Sequence, residues 1–273
     1  MARVSGSIDY KAIAEKMITT PSAQKNKRKP KWLIYGRNKK GKTFFGLTVN
    51  KMPGEKILVI DPEHGTDHYV KQDPKVWHVG KWEDLDPVLK FLESGDHDFT
   101  WVLVDGLTRI SKMALHYVKG IRQDRALTDK PTMIDRRDYG RAGELMIELL
   151  VRLHNLDMGV IYTAQERQVE ADESEEDEDV EGLASWFVAD LPKGARAMVN
   201  SLVDVIARIY VVNVELTSGK VVRQRRLWLG VSERYDTGYR SEYELPDMIK
   251  NPSVEKLLTA IRTGTVPTRR KAS

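Results

Sequence analysis

Residues 36 to 43 read Gly36-Arg37-Asn38-Lys39-Lys40-Gly41-Lys42-Thr43, a complete G-x-x-x-x-G-K-[ST] phosphate loop. The loop follows the apolar run Trp32-Leu33-Ile34-Tyr35 and opens onto Phe44-Phe45-Gly46-Leu47. A strand, a glycine-rich turn and a helix start therefore stand in the order that gives the pattern meaning. In that order several backbone N–H groups and the positive end of the helix dipole converge on one spot, where a polyphosphate can sit. Residues 36–43 together with Phe44 form the candidate nucleotide cradle. Lys42 would reach the β- and γ-phosphates and Thr43 would hold Mg²⁺. ATP hydrolysis further needs a carboxylate for the metal and a group that orients or deprotonates water. Asp105, which ends the apolar strand Trp101 to Val104, meets the first need. The alternative for an acid at that point is a simple helix cap.

The elements that must position these groups alternate along the chain. Residues 8–18 have apolar side chains at helical spacing (Ile8, Ala12, Ile13, Met17) and lead into a polar, basic stretch, residues 19–31. Lys56 to Asp61, Thr100 to Asp105 and Gly159 to Ala164 are short, nearly all-apolar runs, as expected of parallel strands covered on both faces. Val76 to Val79 adds an edge strand. Helices are predicted over Leu85 to Leu92, Leu107 to Val118, Glu144 to Leu156 and Pro252 to Arg262. Val203 to Val214 and Val221 to Gly230 read as a hairpin around residues 217–220. The stretch 166–200 shows no strand pattern and is too long for an ordinary connection, so a functional or mobile loop is expected there. The reading is an α/β fold with a mostly parallel sheet flanked by helices and a C-terminal β-hairpin region. The divisions are an N-terminal helix and basic linker (1–30), a core (31–250) and a C-terminal helix with a basic tail (251–273).

Composition excludes several classes. The 41% hydrophobic content over 273 residues can bury one large core. The absence of cysteine rules out disulfides and thiolate metal sites. No apolar run approaches the roughly 18 residues needed to span a bilayer, and Met1 to Ser7 is too polar for a signal peptide, so a cytoplasmic location without membrane contact is expected. The formal net charge of +4 becomes +13 once the nine acids of residues 170–181 are set aside. Basic residues gather at 25–31, at Lys39 and Lys40, between Lys119 and Arg141, at 223–226 and at 269–271. That balance suits a polyanionic partner.

The segment Asp61-Pro62-Glu63-His64-Gly65-Thr66-Asp67-His68-Tyr69 resembles the corresponding stretch of the RecA-type recombination ATPases. The resemblance covers about residues 31–245 and implies a RecA-like P-loop core. It assigns Glu63 as the general base that activates water, Asp67 and Tyr69 to the adenine, and Gln165 as the sensor of the γ-phosphate. Tyr69 stands one residue closer to Asp67 than the family spacing. More narrowly, the chain is similar to small phage-encoded ATPases that promote single-strand annealing, which would place it in the host cytoplasm. Their first DNA loop would correspond to Lys119, Arg122, Arg125, Lys130, Arg136, Arg137 and Arg141, with Tyr139 for stacking. Their second would correspond to Trp186, Phe187, Lys193 and Arg196, a mix of cations and π-faces that suits single strands. Such sites are completed by a neighbouring subunit, with Arg234 and Arg240 the candidates to act in trans.

The acidic run departs from the family, because nine negative charges within a DNA-contacting loop repel a phosphate backbone. It reads as a tether that swings clear, as a DNA mimic that occupies the basic groove, or as a merely solvated loop. Together these readings give an ATP- and Mg-dependent, DNA-stimulated ATPase that binds single-stranded DNA. It would assemble as a ring or filament and could meet a single-strand-binding protein. The alternatives are a helicase-like motor or a nucleotide-gated switch that recruits a partner.

Overall fold

The computed structural model describes residues 9–20, 29–125, 133–170 and 185–267. The acidic run beyond Glu170, Lys130, Met1 to Ile8, most of the basic linker and the tail 269–271 lie outside them.

Four nearly all-apolar strands form the centre: β1 (Lys31–Tyr35), β2 (Ile57–Asp61), β4 (Trp101–Asp105) and β5 (Gly159–Ala164), each buried along its whole length. Successive side chains alternate between faces, so each strand serves two cores. Leu33, Tyr35, Leu58, Ile60, Val102, Val104, Val160 and Tyr162 face one cluster. There they meet α3 (Leu85–Ser94), α4 (Leu107–Arg125), α5 (Arg136–Asn155) and α6 (Lys193–Leu202). Trp32, Ile34, Ile57, Val59, Trp101, Leu103 and Ile161 face the other cluster, against α2 (Lys42–Leu47) and α7 (Val254–Thr263). Burying each large apolar side chain contributes on the order of 1.5–3 kcal/mol. Both faces must be covered for the runs to be apolar throughout, which explains why these strands show no alternation in sequence.

β3 (Lys75–His78) lies at one edge. At the other side the sheet continues through β8 (Val205–Glu215), β9 (Val221–Trp228) and β11 (Met248–Lys250), giving the order β11-β9-β8-β1-β5-β4-β2-β3, while β10 (Gly238–Tyr239) pairs with β8. All pairs from β8 through β1 to β3 are parallel, whereas β8–β9, β9–β11 and β8–β10 are antiparallel. The carboxyl ends of β1, β2, β4 and β5 therefore share one edge, where an α/β sheet binds ligands.

Two expectations are corrected. The stretch 166–200 is not free of strands: β6 (Glu166–Glu170) and β7 (Ser185–Ala189) form an antiparallel pair, followed by α6. Their small core is Val169, Trp186 and Val188, too few apolar residues to stand out beside the acidic run. The basic segment 119–141 is largely helical, because α4 runs on to Arg125 and α5 starts at Arg136. Asp135 caps α5, accepting from the N–H groups of Arg137 and Asp138. At the N-terminus α1 (Tyr10–Met17) has no buried residue; Asp9 caps it, and Tyr10, Ile13 and Met17 are exposed.

Candidate functional site

The phosphate loop leaves β1 at Gly36, which has φ of 154°. A Cβ there would lie 2.3 Å from the Ile209 carbonyl oxygen of β8, so only glycine lets the chain turn this tightly against its neighbouring strand. Lys42 opens α2 and folds back over the loop, donating to the carbonyls of Gly36 (2.8 Å) and Arg37 (3.1 Å). Burial lowers the pKa of its ammonium, against the opposing pull of the Asp105, Glu63 and Glu166 carboxylates. Those three acids, drawn from the ends of three different strands, surround the one cation expected to meet the γ-phosphate.

Thr43 Oγ1 donates to Asp105 Oδ2 (2.7 Å), and Thr163 Oγ1 from β5 donates to the other oxygen (2.8 Å). Asp105 is only 8% exposed; burial pushes its carboxyl up despite the two hydroxyls. A nearly dry carboxylate beside a hydroxyl and a phosphate cradle is a set of hard oxygen donors, and it fits Mg²⁺.

Glu63 lies on the turn that follows β2. Buried Asp61 builds that turn: its carboxylate accepts from the N–H groups of Glu63, Gly65 and Thr66 and from the Thr66 hydroxyl. The turn leans on Asp105, since a Cβ at Gly65 would be 3.7 Å from Asp105 Oδ2, and one at Gly106 would be 3.8 Å from Glu63 Cδ. Glu63 is thus exposed yet held beside the Asp105 carboxylate. Tyr69, also on this segment, is half-buried against the second core. Burial and the Asp105 charge raise its pKa. Asp67 instead joins His64 and His78, whose rings stack at 4.4 Å. Gln165 directly follows β5; its N–H donates to Thr108 Oγ1 (3.0 Å) and its carbonyl accepts from the Asp190 N–H (2.8 Å).

A family model described as an AAA domain matches residues 28–241. The chain belongs to this AAA-domain family. Its fold is a mixed α/β one, a mostly parallel sheet flanked by helices, with the G-x-x-x-x-G-K-T loop at the end of β1. Among solved structures it is similar to the RadB recombinase, at 17% identity and a TM-score of 0.43, over 84% of this chain and 90% of the other. It is also similar to the assembled ATPase EscN of the type III secretion system of enteropathogenic E. coli, at 13% identity and a TM-score of 0.40, over 67% of this chain and 43% of the other. A search of curated proteins gives no match.

In this AAA domain one group outside every sequence motif stands at the centre of a network. Glu166, directly after Gln165, has a side chain only 4% exposed and accepts from Arg37 Nε of the phosphate loop (3.0 Å) and Arg208 Nε of β8 (2.8 Å). The Arg208 guanidinium lies over the rings of Tyr235 (4.4 Å), Tyr210 (5.4 Å) and Phe187 (5.6 Å). Tyr35, the last residue of β1, donates to the Phe187 carbonyl (3.2 Å). β1 with its phosphate loop and the β6–β7 pair are thereby joined at two points. The sequence signal was an acid beside the expected sensor, but its arginine partners are 129 and 42 residues away.

The DNA candidates are placed unevenly. Arg122 pairs with Asp138 (2.7 Å) and Asp135 (3.4 Å) and donates to the Met133 carbonyl, fastening α4 to α5. Lys119 is half-buried, while Arg125, Arg136, Arg137, Tyr139 and Arg141 are exposed. Trp186 is 8% exposed inside the β6–β7 core, and Phe187 packs on Tyr235 and Arg208, so neither presents a free ring. Lys193 is exposed and Arg196 half-buried on α6. Of the two trans candidates, Arg240 is occupied: it donates to the Ser201 carbonyl through Nη2, and its N–H binds the Asp204 carbonyl. Arg234 is exposed.

Proposed function

We propose that this AAA domain is an ATP-hydrolysing, single-stranded-DNA-binding protein of the recombination and annealing class, of the phage-encoded type, acting as a homo-oligomer. The observation that carries the catalytic part is the convergence of Thr43, Asp105 and Glu63 around Lys42 at the carboxyl edge of the sheet. Lys42 exchanges its two loop carbonyls for the β- and γ-phosphate oxygens. Thr43 and Asp105 would hold magnesium, which would supply charge neutralisation for the phosphates when bound. Glu63 takes the proton of the attacking water as the new P–O bond forms and the bond to the β-phosphate oxygen breaks, releasing ADP and phosphate. Gln165 would sense the γ-phosphate, a role supported by its neighbour Glu166, which binds Arg37 of the phosphate loop, and Arg234, an exposed cation, would reach a neighbour's site. The basic balance outside the acidic run supports a nucleic-acid partner.

The test is ATP turnover with and without single-stranded DNA, for the native protein, Lys42→Ala and Glu63→Gln. Stimulation by DNA that both substitutions abolish is the expected result. Turnover that ignores DNA would favour the nucleotide-gated partner switch.

A further inference from the structure

The β8–β9 ribbon passes beside the phosphate loop on the side away from Asp105, and a pocket of about 550 Å³ lies between them. Its construction follows from register. Val211 pairs with Arg225 and Asn213 with Arg223 across the ribbon, so these four side chains share one face, with Arg223 and Arg225 about 6.8 Å apart along the strand. Lys39 and Lys40 of the loop and Asn251 close the other walls. The Arg225 guanidinium lies where a side chain at Gly41 would be and stacks on Phe44 at 4.3 Å.

Among the described residues none of Lys39, Lys40, Arg223 and Arg225 forms an ion pair. Four cations around one concavity repel one another, and an anion relieves that cost. By contrast, Arg122 already has its carboxylates and Trp186 is buried, so the helical and hairpin candidates offer a strand less than their sequence suggested.

We propose that this pocket is the principal contact for the backbone phosphates of a single nucleic-acid strand, running along the β8–β9 ribbon with Arg223 and Arg225 on successive phosphates and Lys39 and Lys40 on the loop side. The inference rests on the single-strand-binding reading above and gives it a location. The spacing of two arginines along an open ribbon suits a linear chain of phosphates. The two asparagine amides add donors that tolerate any base. Because Lys39 and Lys40 belong to the phosphate loop, a strand held here touches the nucleotide site directly. That contact is a physical route for DNA to alter turnover.

The experiment is fluorescence anisotropy of a labelled oligothymidylate over a salt series, with a non-hydrolysable ATP analogue, on full-length protein. Arg223→Glu should weaken binding by tenfold or more. Arg223→Gln should lower the salt slope by about 0.7, the share of one phosphate contact on a single strand. Arg223→Lys should restore binding, which separates charge from folding. Arg136→Glu with Arg137→Glu should change affinity less than threefold. Native affinity in Arg223→Glu, with loss in the Arg136 and Arg137 variant, would overturn the location while leaving the single-strand reading intact. No oligothymidylate binding by the native protein would overturn both. A second equivalent of the ATP analogue lost on Arg223→Glu, without strand binding, would assign the pocket to a mononucleotide and overturn the strand.

Discussion

Glu63 and Glu166 are both acids next to Lys42, and their surroundings give them different work. Glu63 is exposed on a turn held by Asp61 and has room for a water, as a general base requires. Glu63→Gln should therefore lower ATP turnover by about 10²–10⁴-fold while nucleotide affinity stays near native, read by steady-state kinetics against binding of a fluorescent analogue. Glu166 is buried and bonded to two arginines, so it cannot reach water in this arrangement; it ties the loop to the β6–β7 pair. Replacing it by glutamine leaves Arg37 and Arg208 without their anion. The expected outcome is that hydrogen exchange in β6 and β7 ceases to depend on bound nucleotide, whereas native protein shows the dependence. At this scale the residues that meet beside Lys42 were named from the sequence: the phosphate loop and Asp105 by local patterns that follow or end a strand, Glu63 by the resemblance of its segment to the RecA-type stretch. Glu166 and Arg225 gain meaning from partners far along the chain, and no local pattern reports those.

The turn after β2 shows how an element positions the proposed general base through one buried charge. Burial alone would push the Asp61 carboxyl up, but the Thr66 hydroxyl and the N–H groups of Thr66, Glu63 and Gly65 together hold it below the usual carboxylate range. A folded-state pKa below the unfolded value of about 3.9 means the contribution to stability is fully present above about pH 4. It is lost as the pH falls through the depressed pKa. Asp61→Asn should cost about 1–3 kcal/mol at neutral pH and remove that part of the acid destabilisation, measured as melting temperature against pH. The β1 turn can be tested in the same way. Gly36→Ala would drive a Cβ into the Ile209 carbonyl, and both stability and nucleotide binding should fall together, because the loop cannot leave the sheet on its present path. The strands were legible because complete burial leaves an uninterrupted apolar run. β6 and β7 were not, because a two-stranded ribbon with a three-residue core contributes too little apolar signal. β10 and β11, of two and three residues, are defined by their partners rather than by their own sequence.

Over the whole molecule, charge is divided between a basic body and one acidic insert. The pairing of Glu170 with Ser185 closes the β6–β7 ribbon, so the intervening residues join two ends that already lie side by side. Fourteen residues, 171–184, can be replaced by an Asn-Gly turn without removing any member of the two main cores. The melting temperature should stay within a few degrees of native. The same change removes eight of the nine acids of residues 170–181 and raises the net charge of the protein by eight. If the insert competes with DNA for them, single-strand affinity should rise, and the rise should be largest at low salt, where the repulsion is least screened. Anisotropy of labelled oligothymidylate at two salt concentrations reads this directly, and equal affinities for the two proteins at both would rule out competition. The comparison also separates the insert from the ribbon pocket: with Arg223→Glu in the shortened protein, the gain should disappear if the freed cations are those beside the phosphate loop. It should persist if they are the exposed arginines at the start of α5.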